Sequence, residues 1–227
     1  MAPPRTADAR VFLLRAPSVY RAQNDTWLLA DALEREPAVV GGRVLEVCAG
    51  SGALAVAAAR LGADSVTAGD ISRRAVASSW LNARMRGLPV RVRRGDLFGP
   101  VKGELFDVIL ANPPYVPAAE RCVPLGGAAR SWDAGVDGRA VLERLCREAP
   151  AHLAPGGVLL MVFSALCGVE LTVRRLEEAG LAVSVVARRT EPFGPVMNAR
   201  IGLLEAQGLI APGQRHEELV VLRGQAA

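Results

Sequence analysis

The nine residues Asp107 to Tyr115, Asp-Val-Ile-Leu-Ala-Asn-Pro-Pro-Tyr, constrain the fold of this chain more than any other stretch. Four consecutive apolar residues behind an acid have the pattern of a strand buried on both faces of a parallel sheet. Pro113 and Pro114 have a fixed φ and no N–H, so a central strand must stop before them. Asn112 is left at the carboxyl end of that strand, on a stiff turn. In open α/β sheets, ligands bind along that edge.

The turn carries specific chemistry. The side-chain oxygen of Asn112 and the backbone carbonyl of Pro113 are two hydrogen-bond acceptors close together. Such a pair suits a planar NH₂ group, which has two hydrogens to donate. Tyr115 adds a flat face on which an amide or a nucleobase can stack. A solvated turn is the plain alternative, since Asn-Pro favours turns by itself.

A second constraint is the strand, glycine turn and helix from Arg43 to Leu61. Arg43 to Cys48 reads as a strand, Ala49-Gly50-Ser51-Gly52 as a turn, and the alanine-rich segment after it as a helix. Gly50 and Gly52 allow a ligand to approach the backbone closely. Gly50 to Ala55 fits G-x-G-x-x-A, a weak signal for a dinucleotide site when alone. Glu46 shifts the balance. A carboxylate beside the turn repels pyrophosphate but favours a ligand with ammonium and sulfonium groups, such as S-adenosylmethionine.

Further strands are expected at Ser65–Gly69, Pro89–Arg93 and Val158–Phe163. Leu181–Ala187 and Glu218–Leu222 read as an antiparallel pair at a sheet edge. One helix starts near Asn24 or Asp25, either of which can cap it, with Trp27, Leu28, Leu29, Ala32 and Leu33 on its apolar side. Another spans Arg73–Arg86, with Val76, Trp80 and Leu81 as buried candidates. Helices are also expected at Arg139–Leu153 and Val169–Ala179. The alternation of strands and helices indicates an α/β fold of Rossmann-like type, a seven-stranded, mostly parallel sheet with helices on both faces. Acids stand at two more strand ends. Asp70 lies 18 residues beyond Gly52, close to the spacing of about 20 for an acid that binds ribose hydroxyls. Ile71 can pack on an adenine face. Asp96 follows the third strand, where an ordinary turn acid is the plain reading.

At 227 residues the chain is expected to form one domain over 1–227, with residues 1–15 as a loose arm and 192–213 as an insert before the last strand. The insert is expected to hold a short helix, Ala199–Gln207. The loop 116–137 is long enough to fold over a substrate. No run of 18 apolar residues is present and the first residues have no apolar signal core, so a cytoplasmic protein with no membrane contact is expected. Cys48, Cys122, Cys146 and Cys167 form no Cys-x-x-Cys pair, and no metal is expected. The net charge of +4 is mild. The clusters Arg84/Arg86 and Arg91/Arg93/Arg94 give weak support to contact with nucleic acid.

Asn112-Pro113-Pro114-Tyr115 resembles the signature of methyltransferases that modify planar nitrogen. Two groups carry it: adenine-N6 nucleic-acid methyltransferases, and HemK-type enzymes that methylate a glutamine amide of peptide-chain release factors. Tyr20 to Thr26 resembles the Tyr-x-Pro-x-Glu-Asp-Thr lead-in of the HemK group, with Ala22 in place of proline and Asn24 in place of glutamate. Trp132 to Arg139 resembles the Trp-x-Gly-Gly-x-Asp-Gly segment that follows the clamp in HemK-type enzymes. In the acidic-x-Gly-x-Gly-x-Gly loop of these enzymes, Cys48 replaces the first glycine, which the chain tolerates if φ there stays negative.

The resemblance covers roughly residues 18 to 190 and implies a class I S-adenosylmethionine-dependent methyltransferase without the N-terminal helical domain of the bacterial form. It implies that Thr26, Glu46, Cys48, Gly50, Gly52, Asp70, Ile71, Asp96, Leu97 and Asn112 contact the cofactor. Asp96 would accept from the adenine amine and the Leu97 N–H would meet the ring. Asn112, Pro113 and Tyr115 would hold the methyl acceptor. The acceptor implied is a glutamine of a release factor. An adenine of RNA or DNA and a small-molecule amine are the alternatives, and a dinucleotide dehydrogenase or a non-catalytic sensor is a different class. The short form also implies a small activator protein, with a homodimer as the other option.

Overall fold

Period-two alternation in the central strands builds two cores from one sheet. The computed structural model describes residues 12–120 and 123–227. Most of the arm expected over residues 1–15, and Cys122, lie outside the described residues. The strands are β1 (Arg43–Val47), β2 (Ser65–Asp70), β3 (Val90–Arg94), β4 (Phe106–Ala111), β5 (Leu153–Ser164), β6 (Ala182–Pro192) and β7 (His216–Gln225). They form one sheet in the order β3-β2-β1-β4-β5-β7-β6. The first five run parallel, and β7 is antiparallel to both β5 and β6. This is the expected α/β architecture, with the edge pair longer than expected.

The helices are α1 (Asn24–Leu33), α2 (Ala53–Arg60), α3 (Arg73–Arg84), α4 (Ala140–Glu148), α5 (Val169–Glu178), α6 (Pro195–Ala199) and α7 (Ile201–Ala206). Val44, Val108, Leu110 and Leu160 face α1 and α2. Leu45, Ile109, Leu159 and Met161 face α4 and α5. A residue and its neighbour in a strand point to opposite faces, so a continuous apolar run such as Val108–Ala111 feeds both layers. None of these helices is long and apolar enough to cross a membrane among the described residues.

Several local expectations are corrected. The α1 N-cap is Gln23, without a side-chain cap bond; Asn24 reaches Glu191 instead, and Asp25 is buried. Trp80 and Leu81 are exposed on α3, while Ala75, Ser78, Ser79, Asn82 and Ala83 are its buried face. The reason is close approach. A Cβ on Gly52 would stand 2.3 Å from Ser79 Oγ, so only small side chains fit where α3 meets the turn. Asn82 also bonds both backbone groups of Leu14 and the Ser51 carbonyl. Leu14, at the end of the arm expected to be loose, is thus pinned to α3. The single helix expected at Ala199–Gln207 is two short ones, interrupted at Arg200 (φ −110°, ψ 6°).

Candidate active site

The carboxyl ends of β1, β2 and β4 converge on a cavity of about 490 Å³. Of the twelve residues expected to form a site, all but Gly52 line it. Gly52, with φ 77°, turns away from the cavity and meets Ser79 of α3. In this structure it packs against α3. Cys48 also departs from expectation: its φ is 58°, in the left-handed region, not negative. β1 ends at Val47 and the chain must reverse sharply into the turn, so Cys48 takes the conformation that glycine takes in the family loop.

Glu46, on β1, is 3 % exposed and accepts a 2.8 Å bond from the Ala55 N–H in the first turn of α2. Burial raises its pKa to about 8, against the opposing pull of the Ala55 and Leu54 N–H groups. The helix N-terminus that would cradle a pyrophosphate in a dinucleotide site is therefore occupied by the Glu46 carboxyl group. Asp70, at the end of β2, accepts from Gly50 N–H at 2.9 Å through Oδ2 and from Ser72 N–H at 2.8 Å through Oδ1. Burial raises its pKa, while those two N–H groups act the other way.

Asp96 is exposed and paired fork to fork with Arg144 of α4, at 3.1 Å and 3.0 Å. Leu97 beside it has φ 43°, so the turn after β3 bends tightly at the cavity rim. Arg144 had no motif to flag it. Only the arrival of α4 across the cavity brings it to Asp96.

The clamp lines the same cavity. Asn112 Nδ2 donates to Thr26 Oγ1 at 3.1 Å. Among the described residues, neither Asn112 Oδ1 nor the Pro113 carbonyl accepts a hydrogen bond from the protein, so both acceptors are free at the cavity. The Tyr115 hydroxyl donates to Asp25 Oδ2 at 3.1 Å, and Tyr20 donates to the same oxygen at 2.8 Å. Burial, and after it the Asp25 charge, pushes the pKa of both phenols upward, so both stay protonated donors. Tyr20 and Asp25 were not expected in the site. The lead-in segment that contains them was the available signal, but Asp25 read as a helix cap.

The loop after the clamp folds back along it. Val116 N–H bonds the Trp132 carbonyl at 2.7 Å and Ala134 N–H bonds the Val116 carbonyl at 3.0 Å. Residues 123–127 and 130–132 line the cavity. Gly138 is needed for this return: a Cβ there would stand 2.3 Å from the Tyr115 carbonyl oxygen.

Comparison with known proteins fits this geometry. Residues 14–124 match the family model described as Methyltransferase small domain. A Methanocaldococcus jannaschii protein, provisionally named a protein N5-glutamine methyltransferase, is 35 % identical over 181 residues, covering 80 % of this chain and 90 % of the relative. The release factor glutamine methyltransferase of Deinococcus radiodurans is 38 % identical over 161 residues, covering 69 % and 55 %. The ribosomal protein uL3 glutamine methyltransferase of Bradyrhizobium diazoefficiens is 43 % identical over 126 residues, covering 52 % and 39 %. The match thus spans nearly all of the archaeal relative but about half or less of these two bacterial ones. In fold, the chain is similar to a chain of the E. cuniculi Mtq2–Trm112 complex, which methylates the eRF1 termination factor (TM-score 0.63, 23 % identity, 92 % of this chain and 99 % of that one). It is also similar to the T. thermophilus 16S rRNA N2 G1207 methyltransferase bound to AdoMet and guanosine (TM-score 0.62, 23 % identity, 94 % and 46 %). Fold, clamp and relatives agree: the chain belongs to the HemK-type glutamine methyltransferase family of the class I S-adenosylmethionine-dependent methyltransferases.

Proposed function

We propose that this protein methylates the side-chain amide of a glutamine in a peptide-chain release factor, using S-adenosylmethionine. The observation that carries the reading is the pair of free acceptors, Asn112 Oδ1 and the Pro113 carbonyl, at a cavity also lined by Glu46, Asp70 and Asp96. The residues present fit the cofactor. Asp70 would accept from the ribose hydroxyls, Asp96 and the Leu97 N–H would meet the adenine, and Ile71 would pack on its face. Glu46, Cys48, Gly50 and Thr26 would surround the amino-acid and sulfonium end. When bound, the cofactor supplies a methyl group on a positively charged sulfur, which departs as a neutral thioether.

An amide nitrogen is a poor nucleophile because its lone pair is delocalised into the carbonyl. Acceptance of both its N–H bonds by Asn112 and Pro113 returns electron density to nitrogen and aims it into the cavity. Fixed acceptors of this kind stabilise the positive charge that develops on nitrogen during attack, and orientation removes several kcal/mol of the barrier. Tyr115 would stack on the amide plane. We find no general base at the clamp among the described residues; the proton leaves after methyl transfer. The cytoplasm, where release factors work, is the compartment that suits this reading. A small protein partner, as in the E. cuniculi complex, belongs to the same proposal.

Transfer of labelled methyl into a release-factor peptide containing Gly-Gly-Gln tests the function, with RNA, DNA and small amines as competing acceptors. Label is expected in the peptide glutamine, and loss of that label by at least about 100-fold in Asn112→Ala. Preferential label in adenine would replace the protein acceptor with a nucleic-acid one.

A further inference from the structure

Asp25 sits at the centre of a hydrogen-bond network whose proton count dictates how the clamp is presented. It is 3 % exposed, and Thr26 beside it is 4 % exposed. A carboxylate only accepts, with about four lone-pair sites on its two oxygens. All four are taken. Oδ2 receives the hydroxyls of Tyr20 (2.8 Å) and Tyr115 (3.1 Å). Oδ1 receives the Thr26 N–H (2.6 Å) and the Thr26 hydroxyl (3.2 Å).

The Thr26 hydroxyl has one proton, and it is committed to Asp25. Toward Asn112, 3.1 Å away, Thr26 can therefore only accept. Asn112 must answer with its NH₂, and its Oδ1 is turned to the cavity. Without this constraint the two ends of the amide are nearly equivalent in shape, and the reversed rotamer would offer an NH₂ to an acceptor NH₂. Through Oδ2 the same carboxylate fixes the Tyr115 ring.

We propose that Asp25 is a positioning residue for methyl transfer: through Thr26 it selects the Asn112 rotamer that accepts, and through Tyr115 it holds the stacking wall. Its link to turnover rests on the glutamine-methyltransferase reading above; the rotamer itself does not. Asp25→Asn preserves shape but introduces an NH₂ among four donors. If that NH₂ faces Thr26, the hydroxyl must accept from it and turns its proton to Asn112, which then reverses. If it faces the tyrosines, the Tyr115 anchor is lost.

Two measurements test this. The first needs no methyl acceptor: hydrogen exchange of the Asn112 side-chain NH₂ by NMR, with the signal assigned by its loss in Asn112→Ala. Protection is expected in the wild type and should fall about fivefold to tenfold in Asp25→Asn, the loss of one hydrogen bond. The second is kinetic. The kcat for the glutamine peptide should fall about 100-fold, the cost of a misplaced reacting group, while the Kd for S-adenosylmethionine changes by less than about threefold. A merely structural Asp25 would lower the melting temperature and leave kcat near wild type. Should Asp25→Asn fail to fold, Thr26→Val removes the same hydroxyl and is expected to give the same two losses. Unchanged protection and kcat within about threefold of wild type overturn the proposal. A wild type that methylates no glutamine, but whose Asn112 protection is lost in Asp25→Asn, overturns the function and leaves the rotamer control standing.

Discussion

Glu46 shows how one buried side chain can couple ligand charge to pH. Its pKa in the folded protein is about 8 against an ordinary 4.5, chiefly through burial. For an acid raised on folding, the stabilising contribution is complete below about 4.5 and is lost as pH rises through about 8. The folded protein therefore holds Glu46 increasingly against its preference across that window. A cationic ligand reverses the situation, since it favours the ionised form. Affinity for S-adenosylmethionine is expected to rise with pH and level off above about 8, by at most about tenfold per pH unit. Glu46→Gln keeps an acceptor for the Ala55 N–H but cannot ionise. Its affinity should be lower at pH 8 and should lack the Glu46 component of the slope, with titration of the ligand's own amine common to both proteins. Calorimetry from pH 6 to about 9 reads this difference. Parallel wild-type and Glu46→Gln profiles would remove Glu46 from contact with the positive end of the ligand.

At the scale of the element, the turn between β1 and α2 shows which features were legible beforehand. Its place, its glycines and its acid were evident from Arg43 to Leu61. Its backbone was not: Cys48 adopts φ 58°, and Gly52 packs against Ser79 of α3. The first follows from the sharp reversal after β1, and the second from the neighbour α3, which is distant in sequence. The same cause hid the buried face of α3, where the large residues Trp80 and Leu81 point outward and serines point in. Hydrophobic periodicity assumes that large side chains seek the core, and it fails where two backbones come close. The clamp was legible because its chemistry lies within four consecutive residues, whereas the Asp25–Tyr115 and Asp96–Arg144 contacts join residues 90 and 48 positions apart. The strained position carries a prediction. A β-branched residue tolerates positive φ worse than cysteine does, so Cys48→Val should cost about 1 kcal/mol more than the wild type. For a chain of this size that lowers Tm by about 2–4 °C. Cys48→Gly, which suits the backbone, should lose less. A Cys48→Val protein that melts at or above Cys48→Gly in calorimetry would show that the turn is not held in the left-handed conformation.

For the whole molecule, the insert before β7 turns the clamp and its loop into one packed unit. Phe193, Met197, Leu204 and Ile210 form a small separate core with Val116, against which Tyr115 and Trp132 also pack. Arg200, where α6 and α7 part, donates to the Pro117 carbonyl at 2.9 Å and lies 2.6 Å from Asp133 Oδ1. That ion pair is close but poorly aligned for a hydrogen bond, so its hold on the loop is electrostatic as much as directional. Asp133 has only 11 % of its side chain exposed, and removing its partner leaves a largely desolvated charge. Breaking a buried pair in this way costs about 3 kcal/mol. In Arg200→Ala the cost should appear locally, because among the described residues no hydrogen bond or ion pair joins Glu46, Asp70 or Asp96 to the segment between β6 and β7. Residues 116–138 are expected to exchange amide hydrogens faster, KM for a glutamine peptide to rise about tenfold, and the Kd for S-adenosylmethionine to stay within about threefold. Hydrogen-exchange mass spectrometry with the two binding measurements separates this from general destabilisation. Faster exchange spread evenly over β1, β2 and β4, or cofactor affinity falling as much as peptide affinity, would mean that the insert supports the sheet as a whole and does not brace the loop.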